Sequence, residues 1–466
     1  MHLEKIGKTY YSYKDPYARV VKKEGIFSRY IHESYQLEFN HLMNSGLYAE
    51  LCANNLMVKH ANVKNEKLPF GYFLKIIPDQ IPFHILPFEW TFKEWQNAMV
   101  AFLKINQVAL KYGMILKDAS PYNFAKVGQE MIMFDTTSFQ FFNDGSPWVA
   151  YRQFCKEFLG PLALIKYGGD TWARLTRSFI KGMPLDFISN QLPLFSYFNL
   201  QCLLHIHIHS KFQPKVSLKK ASQKPKGFTH QGLMLLFHSL EKNLSRWYLK
   251  NKSISLWNQY YENDLESEFY LSNKSEKISV WLDRIKPSSV TDLGANTGHF
   301  TLLASVFSDK VLAVENSVAC IEILNNEISK RGLQNITTCV ADLTQLSPDL
   351  GNGFKEIANL TTRAKSDMVF ALALIHHLSI TFSYSFDQII ELCKQFTRDY
   401  LVIEFVPKND SQTQSLLITL SDIFEDYSES NFEVSLSKSF TILEKVKLSS
   451  TERILYLAKL HHVSVE

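Results

Sequence analysis

The C-terminal part of the chain alternates short apolar runs with longer stretches in which apolar residues recur at helical spacing. The apolar runs have the length of buried strands and lie at 290–293, 310–315, 336–341, 366–373 and 400–405. The stretches with helical spacing lie at 298–307, 317–331 and 385–398. Strands that alternate with helices predict an α/β fold, with a parallel sheet covered on both faces. Two last runs, at 440–446 and 454–460, flank a polar turn and predict an antiparallel hairpin at the sheet edge.

The N-terminal part follows a less regular pattern of strands and helices. Residues 8–40 predict short strands, and residues 148–210 are helical with the apolar load of a buried core. Thr91 and Glu94 form a capping box that opens a long amphipathic helix, and Gly113 occupies the place of its C-terminal glycine. Short strands follow that helix at 114–116 and 131–134. The pattern predicts an α+β domain with a helical extension.

Length and composition narrow the class of protein. At 466 residues the chain is too long for one compact core, so two or three domains are expected. The net charge of +4 is small for this size, and no nucleic-acid partner is predicted. The six cysteines are scattered without a C-x-x-C pair, which favours reduced thiols. Without an apolar leader or a run approaching the ~20 residues of a membrane span, we expect a cytoplasmic protein.

A lysine-rich segment separates the two parts. Its lysines are Lys211, Lys215, Lys219, Lys220, Lys224 and Lys226. The segment is either a basic docking patch or a flexible linker, and its Ser, Pro and Gln content favours the linker. The predicted division is an α+β domain at 1–165, a helical extension at 166–210, the linker at 211–227, a helical connector at 228–285 and an α/β domain at 286–466. In the connector, Trp257, Tyr260 and Tyr261 are candidates for a lid or for core packing.

The turn after the first strand of the α/β domain carries the strongest chemical signal. The strand ends in Asp292, and Gly294, Asn296 and Gly298 form a tight turn before a helix begins. Glycines allow the backbone to approach a ligand closely. A dinucleotide-binding turn needs G-x-G-x-x-G, with the middle glycine facing a pyrophosphate. The sequence G-A-N-T-G lacks that glycine and therefore suits a nucleotide-like ligand without phosphates.

Polar residues at the ends of the next strands extend this site. Ligands of a parallel sheet bind at the carboxyl ends of its strands. Glu315 closes the second strand and can accept both ribose hydroxyls, and Asp342 follows the third, where it would meet an adenine amine. Ala371, near the end of the fourth strand, is assigned to the same pocket. Lys274, before the sheet, is a candidate for a cofactor carboxylate.

These motifs together resemble the class I S-adenosylmethionine-dependent methyltransferases. The resemblance is carried by D-L-G-A-N-T-G, A-V-E-N and V-A-D-L over residues 276–466, and the terminal hairpin resembles that family's reversed last strand. It implies a Rossmann-like fold with S-adenosylmethionine as cofactor. A nicotinamide fold, or a Rossmann-like domain without a ligand, is the alternative. The runs 371–378 and 404–410, with the segment 116–123, resemble a narrower group of bacterial nodulation-type methyltransferases with a kinase-like N-terminal domain.

Three residues are candidates for catalysis. His376 and His377 follow the fourth strand, where a neutral imidazole can take a proton from an attacking hydroxyl or amine. The same pair occurs as pocket wall in many methyltransferases. Glu404, at the end of the fifth strand, is a second candidate base or a substrate anchor. Methyl transfer often needs only alignment. The acceptor is unidentified, and the sequence does not separate O- from N-methylation.

A second centre is predicted in the N-terminal part. Asp118 and Asn123 lie five residues apart, and Asp135 ends a later strand, which is similar to the catalytic loop of the kinase-like fold. That resemblance implies Asp118 as base, with Asn123 and Asp135 as ligands of the Mg²⁺ that accompanies ATP. The pattern lacks a glycine-rich loop, and Lys75 is the nearest match to the strand lysine. The open alternatives are a phosphotransferase or nucleotide-binding protein with a regulatory methyltransferase-like domain, and a strand-turn-strand with polar ends.

One further motif, His205, His207 and His209, alternates as metal ligands sometimes do. It has no accompanying cysteine or acid and lies in an apolar helical stretch. We therefore expect these histidines to be structural and predict no metal there.

Overall fold

The computed structural model describes residues 15–64, 66–211, 227–249, 265–419 and 424–462. For residues 265–268 and 419 it describes the backbone only. The chain divides into two compact units, one of residues 1–252 with 349–357 and the other of residues 253–348 with 358–466. The predicted lid residues Trp257, Tyr260 and Tyr261 lie outside the described residues, as does most of the lysine-rich segment.

The first unit contains small antiparallel sheets. Its strands are β1 (Ala18–Lys23), β2 (Ile26–His32), β3 (His60–Asn62), β4 (Tyr72–Pro78), β5 (Met114–Leu116), β6 (Phe124–Val127), β7 (Glu130–Met133) and β8 (Phe139–Phe141). A four-stranded sheet has the order β1-β2-β4-β3, and β5–β8 and β6–β7 form two pairs. The strands predicted after the long helix are confirmed as β5 and β7. The sequence pattern did not predict their partners β6 and β8.

Helices surround these strands and form the larger part of the first unit. They are α1 (Gln36–Asn44), α2 (Leu47–Ala53), α3 (Phe92–Lys111), α4 (Tyr151–Phe154), α5 (Gly160–Gly168), α6 (Thr171–Leu175), α7 (Leu185–Gln191), α8 (Leu200–Cys202), α9 (His209–Lys211) and α10 (His230–Leu244). The capping box of α3 is confirmed, because Thr91 Oγ1 accepts from the Glu94 amide and Glu94 Oε2 accepts from the Thr91 amide at 2.8 Å. Gly113 follows the helix with φ 73°.

The second unit is a mixed α/β fold around one mostly parallel sheet, as predicted. Its strands are β9 (Ser289–Leu293), β10 (Lys310–Glu315), β11 (Ile336–Val340), β12 (Ser366–Ala371), β13 (Thr397–Phe405), β14 (Phe440–Lys447) and β15 (Ile454–Leu460). Their order is β11-β10-β9-β12-β13-β15-β14, and β15 runs antiparallel to both neighbours. The terminal hairpin was expected at the edge of the sheet. The hairpin lies there: β15 pairs with both β13 and β14, and β14 is the outermost strand.

Helices of the second unit pack on this sheet. They are α11 (Leu265–Ile285), α12 (His299–Ala304), α13 (Val318–Arg331), α14 (Leu360–Arg363), α15 (Phe386–Phe396), α16 (Ser411–Thr419) and α17 (Glu429–Ser437). Trp281 and Phe300 join the strand residues Val290 and Phe370 in one buried core. The strand ends are therefore held in fixed register at the carboxyl edge of the sheet. Among the described residues, no helix combines the length and apolar character needed to cross a membrane.

Candidate functional site

The turn between β9 and α12 requires glycine at two positions. Gly294 has φ 74° and Gly298 has φ 88°, values that residues with a side chain rarely adopt. A Cβ at Gly298 would lie 2.3 Å from Leu324 Cδ1, and one at Gly294 would lie 3.2 Å from Leu374 Cδ1. The bare backbone is therefore needed for the turn to pack against α13 and to begin α12.

Glu315 joins this turn to the end of β10. The backbone amide of Asn296 donates to Glu315 Oε2 at 2.9 Å, and that of Ser317 donates to Oε1 at 2.8 Å. The side chain is half-buried. Each carboxylate oxygen can accept a further hydrogen bond. The acid predicted for the ribose is thus brought to the glycine turn with spare capacity for two hydroxyl donors.

Asp342 lies beyond the end of the neighbouring strand. Val340 pairs with Glu315 across the two strands, and the Ala341 amide donates to the Glu315 carbonyl oxygen at 3.0 Å. One oxygen of Asp342 accepts from the amide and the hydroxyl of Thr344, at 2.9 and 2.6 Å. Asp342 therefore stands one strand away from Glu315 along the same edge, as the sequence predicted.

Asn296 leaves a polar atom available at this site. Its Oδ1 is buried and, among the described residues, has no hydrogen-bond partner. Buried polar atoms are ordinarily paired, so this acceptor has room for a donor from a bound ligand. The amino and hydroxyl groups of S-adenosylmethionine are such donors. The residues present therefore fit this cofactor.

Asp292 supports the turn from beneath. Its side chain is buried, and Oδ2 accepts from Thr301 Oγ1 on α12 at 2.7 Å. Burial raises the pKa of this carboxyl to about 6, while the Thr301 hydrogen bond opposes the rise. Ala371, also assigned to the pocket, is fully buried in β12, where it pairs with Leu293 and Ile403. Both residues hold the strands that form the edge.

A buried ionic network lies at the end of β13. Glu404 accepts from Lys274 Nζ and from Tyr270 Oη, both at 2.5 Å, and from the Ala373 amide at 2.8 Å. Burial raises the pKa of Glu404, but the charges of Lys274 and Arg453 outweigh this and hold it below its usual value. Glu404 is therefore held as the ionised partner of Lys274, and its role as base or substrate anchor stays a prediction. Lys274, a candidate for a cofactor carboxylate, is paired with Glu404 instead.

Arg453 extends the network to the turn between β14 and β15. It donates to both carboxylate oxygens of Asp410, at 2.8 and 2.9 Å, and to Tyr270 Oη at 3.1 Å. Sequence reasoning missed Tyr270 and Arg453, because no local motif marks them, and it gave Asp410 no role beyond its place in the run 404–410. A polar cavity of about 580 Å³ adjoins this pair, lined by Asn409, Asp410 and residues 447–452.

His376 and His377 follow β12, with ring centroids 4.1 Å apart. His376 is fully buried, and neither ring nitrogen has a hydrogen-bond partner within the described part of the chain. Burial lowers its pKa well below the ordinary value, and the charges of His377, Arg453 and Lys274 act in the same direction. Burial likewise lowers the pKa of the half-buried His377 to about 4. Both imidazoles are therefore neutral at neutral pH.

The structure also brings together the three candidates of the first unit. Asn123 Nδ2 donates to Asp118 Oδ2 at 3.0 Å, and Ser138, which accepts from Asn123 at 3.4 Å, donates to Asp135. Asp135 Oδ1 is paired with Arg29 of β2, a cation that the sequence analysis missed.

The suggested strand lysine, Lys75, instead pairs with Glu66 at 2.6 Å. Both oxygens of Asp135 are engaged by protein donors, so the residues present do not fit a metal ion there. Within the described ranges, no group of three or more His, Cys, Asp or Glu could hold a metal.

The three alternating histidines of the first unit have hydrogen-bonded or stacked neighbours. His205 Nδ1 lies 2.8 Å from Tyr151 Oη, and the Tyr151 ring stacks on His209. His207 lies between two serine hydroxyls. The expectation of structural histidines agrees with these contacts.

Comparisons with known proteins give one curated relative and a set of solved folds. No protein-family model matches the chain. The chain is 27% identical over 383 residues to the nodulation protein NoeA of Rhizobium meliloti (strain 1021), covering 79% of this chain and 78% of that protein.

Solved structures that match part of the chain include two methyltransferases. Magnesium protoporphyrin IX methyltransferase (ChlM) from Synechocystis PCC 6803, with bound SAM, is 16% identical, with a TM-score of 0.33 over 44% of this chain and 89% of that chain. The N-methyltransferase NodS from Bradyrhizobium japonicum WM9 is 12% identical, with a TM-score of 0.30 over 41% of this chain and 97% of that chain.

Proposed function

We propose that the second unit binds S-adenosylmethionine and transfers its methyl group to an oxygen or nitrogen atom of an acceptor. The observation that carries this proposal is the junction of Glu315 with the glycine turn. The Asn296 amide fixes the Glu315 carboxylate at the sheet edge, and the orphan Asn296 Oδ1 lies in the same turn. The turn thus brings together the Glu315 carboxylate, which can accept the ribose hydroxyls, and Asn296 Oδ1, which can accept an amino group. It also lacks the glycine that would face a pyrophosphate.

The chain's own residues divide the binding task by position. Glu315 would accept the ribose hydroxyls, Asp342 the adenine amine, and Asn296 Oδ1 a further donor of the cofactor. Gly294 and Gly298 would let the backbone approach it. Asp292 and Ala371 would act through the packing of the turn and strands, without touching the cofactor.

S-adenosylmethionine supplies a methyl group on a positively charged sulfur, which makes that methyl open to attack. On the acceptor side, we assign His376 the role of taking the proton of the attacking group. Its imidazole is neutral and has two ring nitrogens without partners among the described residues. The Lys274–Glu404 pair would fix the wall of this pocket. The polar cavity beside Arg453 and Asp410 offers room for an acceptor with hydrogen-bonding groups.

Binding of the cofactor tests the proposal directly. Calorimetry with S-adenosylmethionine should show binding to the wild type and a loss of about 100-fold in affinity for Glu315→Gln, because two hydrogen bonds to a charged acceptor are weakened. Glu327→Gln is the matched control, since Glu327 lies on the outer face of α13 in a surface pair with Lys330. Absence of binding to the wild type, or equal affinity in Glu315→Gln, would contradict the proposal.

Turnover is tested separately. Wild-type protein incubated with methyl-labelled cofactor and fractionated cell extract should transfer label to a product, and mass analysis of that product distinguishes a methyl ether or ester from a methylamine. Binding without any transfer across the fractions would indicate a binding protein instead of an enzyme.

A further inference from the structure

The first unit presents a band of apolar side chains to solvent between residues 194 and 208. The band comprises Leu194, Phe195, Phe198, Leu200, Leu204 and Ile208. Phe198 is 93% exposed and Leu194 is 85% exposed, values that are unusual for large apolar side chains so close in sequence. Contiguous apolar patches on a protein surface mark interaction sites.

This band is held rigidly from beneath by polar contacts. His207 is fully buried; its Nε2 lies 2.8 Å from Ser196 Oγ and its Nδ1 lies 2.8 Å from Ser189 Oγ. The ring of Tyr197 stacks on His207 with centroids 3.7 Å apart. Because the polar groups are satisfied on the inside, the segment is fixed with its apolar side chains outward. The exposure is therefore a property of the folded backbone.

The charge pattern around the band indicates what it meets. The chain has no Asp or Glu between Asp186 and Glu241, although its net charge is only +4. Lys211, which is exposed, directly follows the band, and five further lysines follow in the sequence up to Lys226. Apolar side chains followed in the sequence by lysines, with no carboxylate among them, match the interface of an anionic lipid bilayer.

We propose that residues 194–211 form a peripheral membrane-contact surface. Leu194, Phe195 and Phe198 would enter the boundary between headgroups and acyl chains of an anionic bilayer, and Lys211 would meet the headgroups. Protein–protein interface cores are depleted of lysine, so the charge pattern favours lipid over a protein partner. This proposal is independent of methyl transfer, because none of these residues belongs to the second unit.

Sedimentation with lipid vesicles tests this surface in the full-length protein. Wild type is incubated with phosphatidylcholine vesicles, with or without about 30% phosphatidylglycerol. We expect about tenfold more bound protein on the anionic vesicles, and a several-fold loss when NaCl rises from about 0.1 to about 0.5 M, because salt screens the lysine charges. Failure of the wild type to sediment with anionic vesicles would overturn the proposal.

A matched pair of variants distinguishes binding through this band from non-specific binding by exposed apolar side chains. Leu194→Ser/Phe198→Ser should lose binding about tenfold, whereas Phe70→Ser, which removes a phenylalanine that is 96% exposed elsewhere in the same unit, should bind as wild type. Circular dichroism confirms that both variants fold. Equal binding of Leu194→Ser/Phe198→Ser and wild type would overturn the proposal. The proposal would also be overturned if the wild type did not bind vesicles but formed a dimer that the double substitution dissociates. The band would then be the contact with a second copy of the chain.

Discussion

Lys274 Nζ on α11 lies 2.5 Å from Glu404 Oε2 on β13, and both side chains are withdrawn from solvent. The pair ties the helix before the sheet to the carboxyl end of β13. Removing two charges from water is costly, so a buried pair need not stabilise the fold relative to an apolar one. The pair does fix the positions of its two side chains. Glu404 also accepts from the Ala373 amide, which lies just before His376 and His377 in the chain.

Breaking this pair on one side should destabilise the protein strongly. Lys274→Met removes the nearer cation of the buried Glu404 and leaves only Arg453, 3.9 Å away and shared with Asp410, so we expect a loss of about 3 kcal/mol in the free energy of unfolding. The double variant Lys274→Met/Glu404→Gln should recover most of that loss, because no charge is left unpaired. Chemical denaturation measures both. A single variant as stable as wild type would show that the pair is not formed.

The buried carboxyl of Asp292 should make the stability of the folded protein depend on pH. Its folded pKa is about 6, above the ordinary 3.8, because of burial. A raised carboxyl pKa favours the folded state fully below the unfolded pKa, and this contribution is lost as the pH rises through 6. At neutral pH the ionised side chain therefore costs up to about 3 kcal/mol. Asp292→Asn should gain stability relative to wild type between about pH 4 and about pH 7.

The exposed Asp309→Asn serves as the control for this change. Unfolding free energies measured across the pH range for the three proteins check the prediction. If the difference between wild type and Asp292→Asn stays constant with pH, the buried carboxyl does not titrate as argued.

Gly298 should be needed for cofactor binding through close packing. A Cβ there would lie 2.3 Å from Leu324 Cδ1 at φ +88°, so Gly298→Ala must displace the turn. We expect S-adenosylmethionine affinity to fall by about tenfold or more, equivalent to about 1.4 kcal/mol. Gly332→Ala is the control, because Gly332 also has positive φ but nothing lies within 4 Å of its Cβ position. If calorimetry finds equal losses of affinity in the two variants, backbone strain and not the contact with Leu324 causes the effect.

His376 should affect the chemical step and leave cofactor binding intact. A base that removes a proton during attack contributes about 10²- to 10⁴-fold in rate, so His376→Asn should lower methyl incorporation by at least the smaller factor. His377→Asn, at the half-buried neighbour, should have a smaller effect. Single-turnover label transfer, with S-adenosylmethionine affinity measured in parallel, distinguishes the two roles. Unchanged transfer by His376→Asn would leave His376 as pocket wall.

Arg29 should stabilise the first unit through Asp135. Burial raises the pKa of Asp135, but Arg29 and the neighbouring hydroxyls outweigh this and hold it below 3.8. A depressed pKa gives stability that is present above pH 3.8 and lost as the pH falls below it. Arg29→Met should therefore cost about 3–5 kcal/mol at neutral pH.

Lys75→Met should cost at most about 1 kcal/mol, because its pair with Glu66 is partly solvent-exposed. Thermal and chemical denaturation of both variants check this contrast. Equal losses in the two would mean that Asp135 does not depend on Arg29.

The proposed cofactor site is predictable largely from sequence, because its parts are local. Asp292, Gly294 and Gly298 lie within one turn, and Glu315 ends the next strand of a recognisable βαβ unit. Strand periodicity then places Glu315 and Asp342 at one edge of the sheet. The capping box of α3 was likewise readable, since Thr91 and Glu94 are three residues apart.

What only the tertiary structure decided are the partners of the buried charges and the place of β15. The sequence makes Glu404 a candidate base or substrate anchor, but it does not show that Lys274, 130 residues away, pairs with it. Arg29 meets Asp135 across 106 residues. A charged side chain in sequence does not reveal which distant charge will share its burial, because that depends on how the elements pack. The sequence by itself therefore determined the strands of the second unit, the turn and its acids, whereas folding decided which buried charges pair with one another.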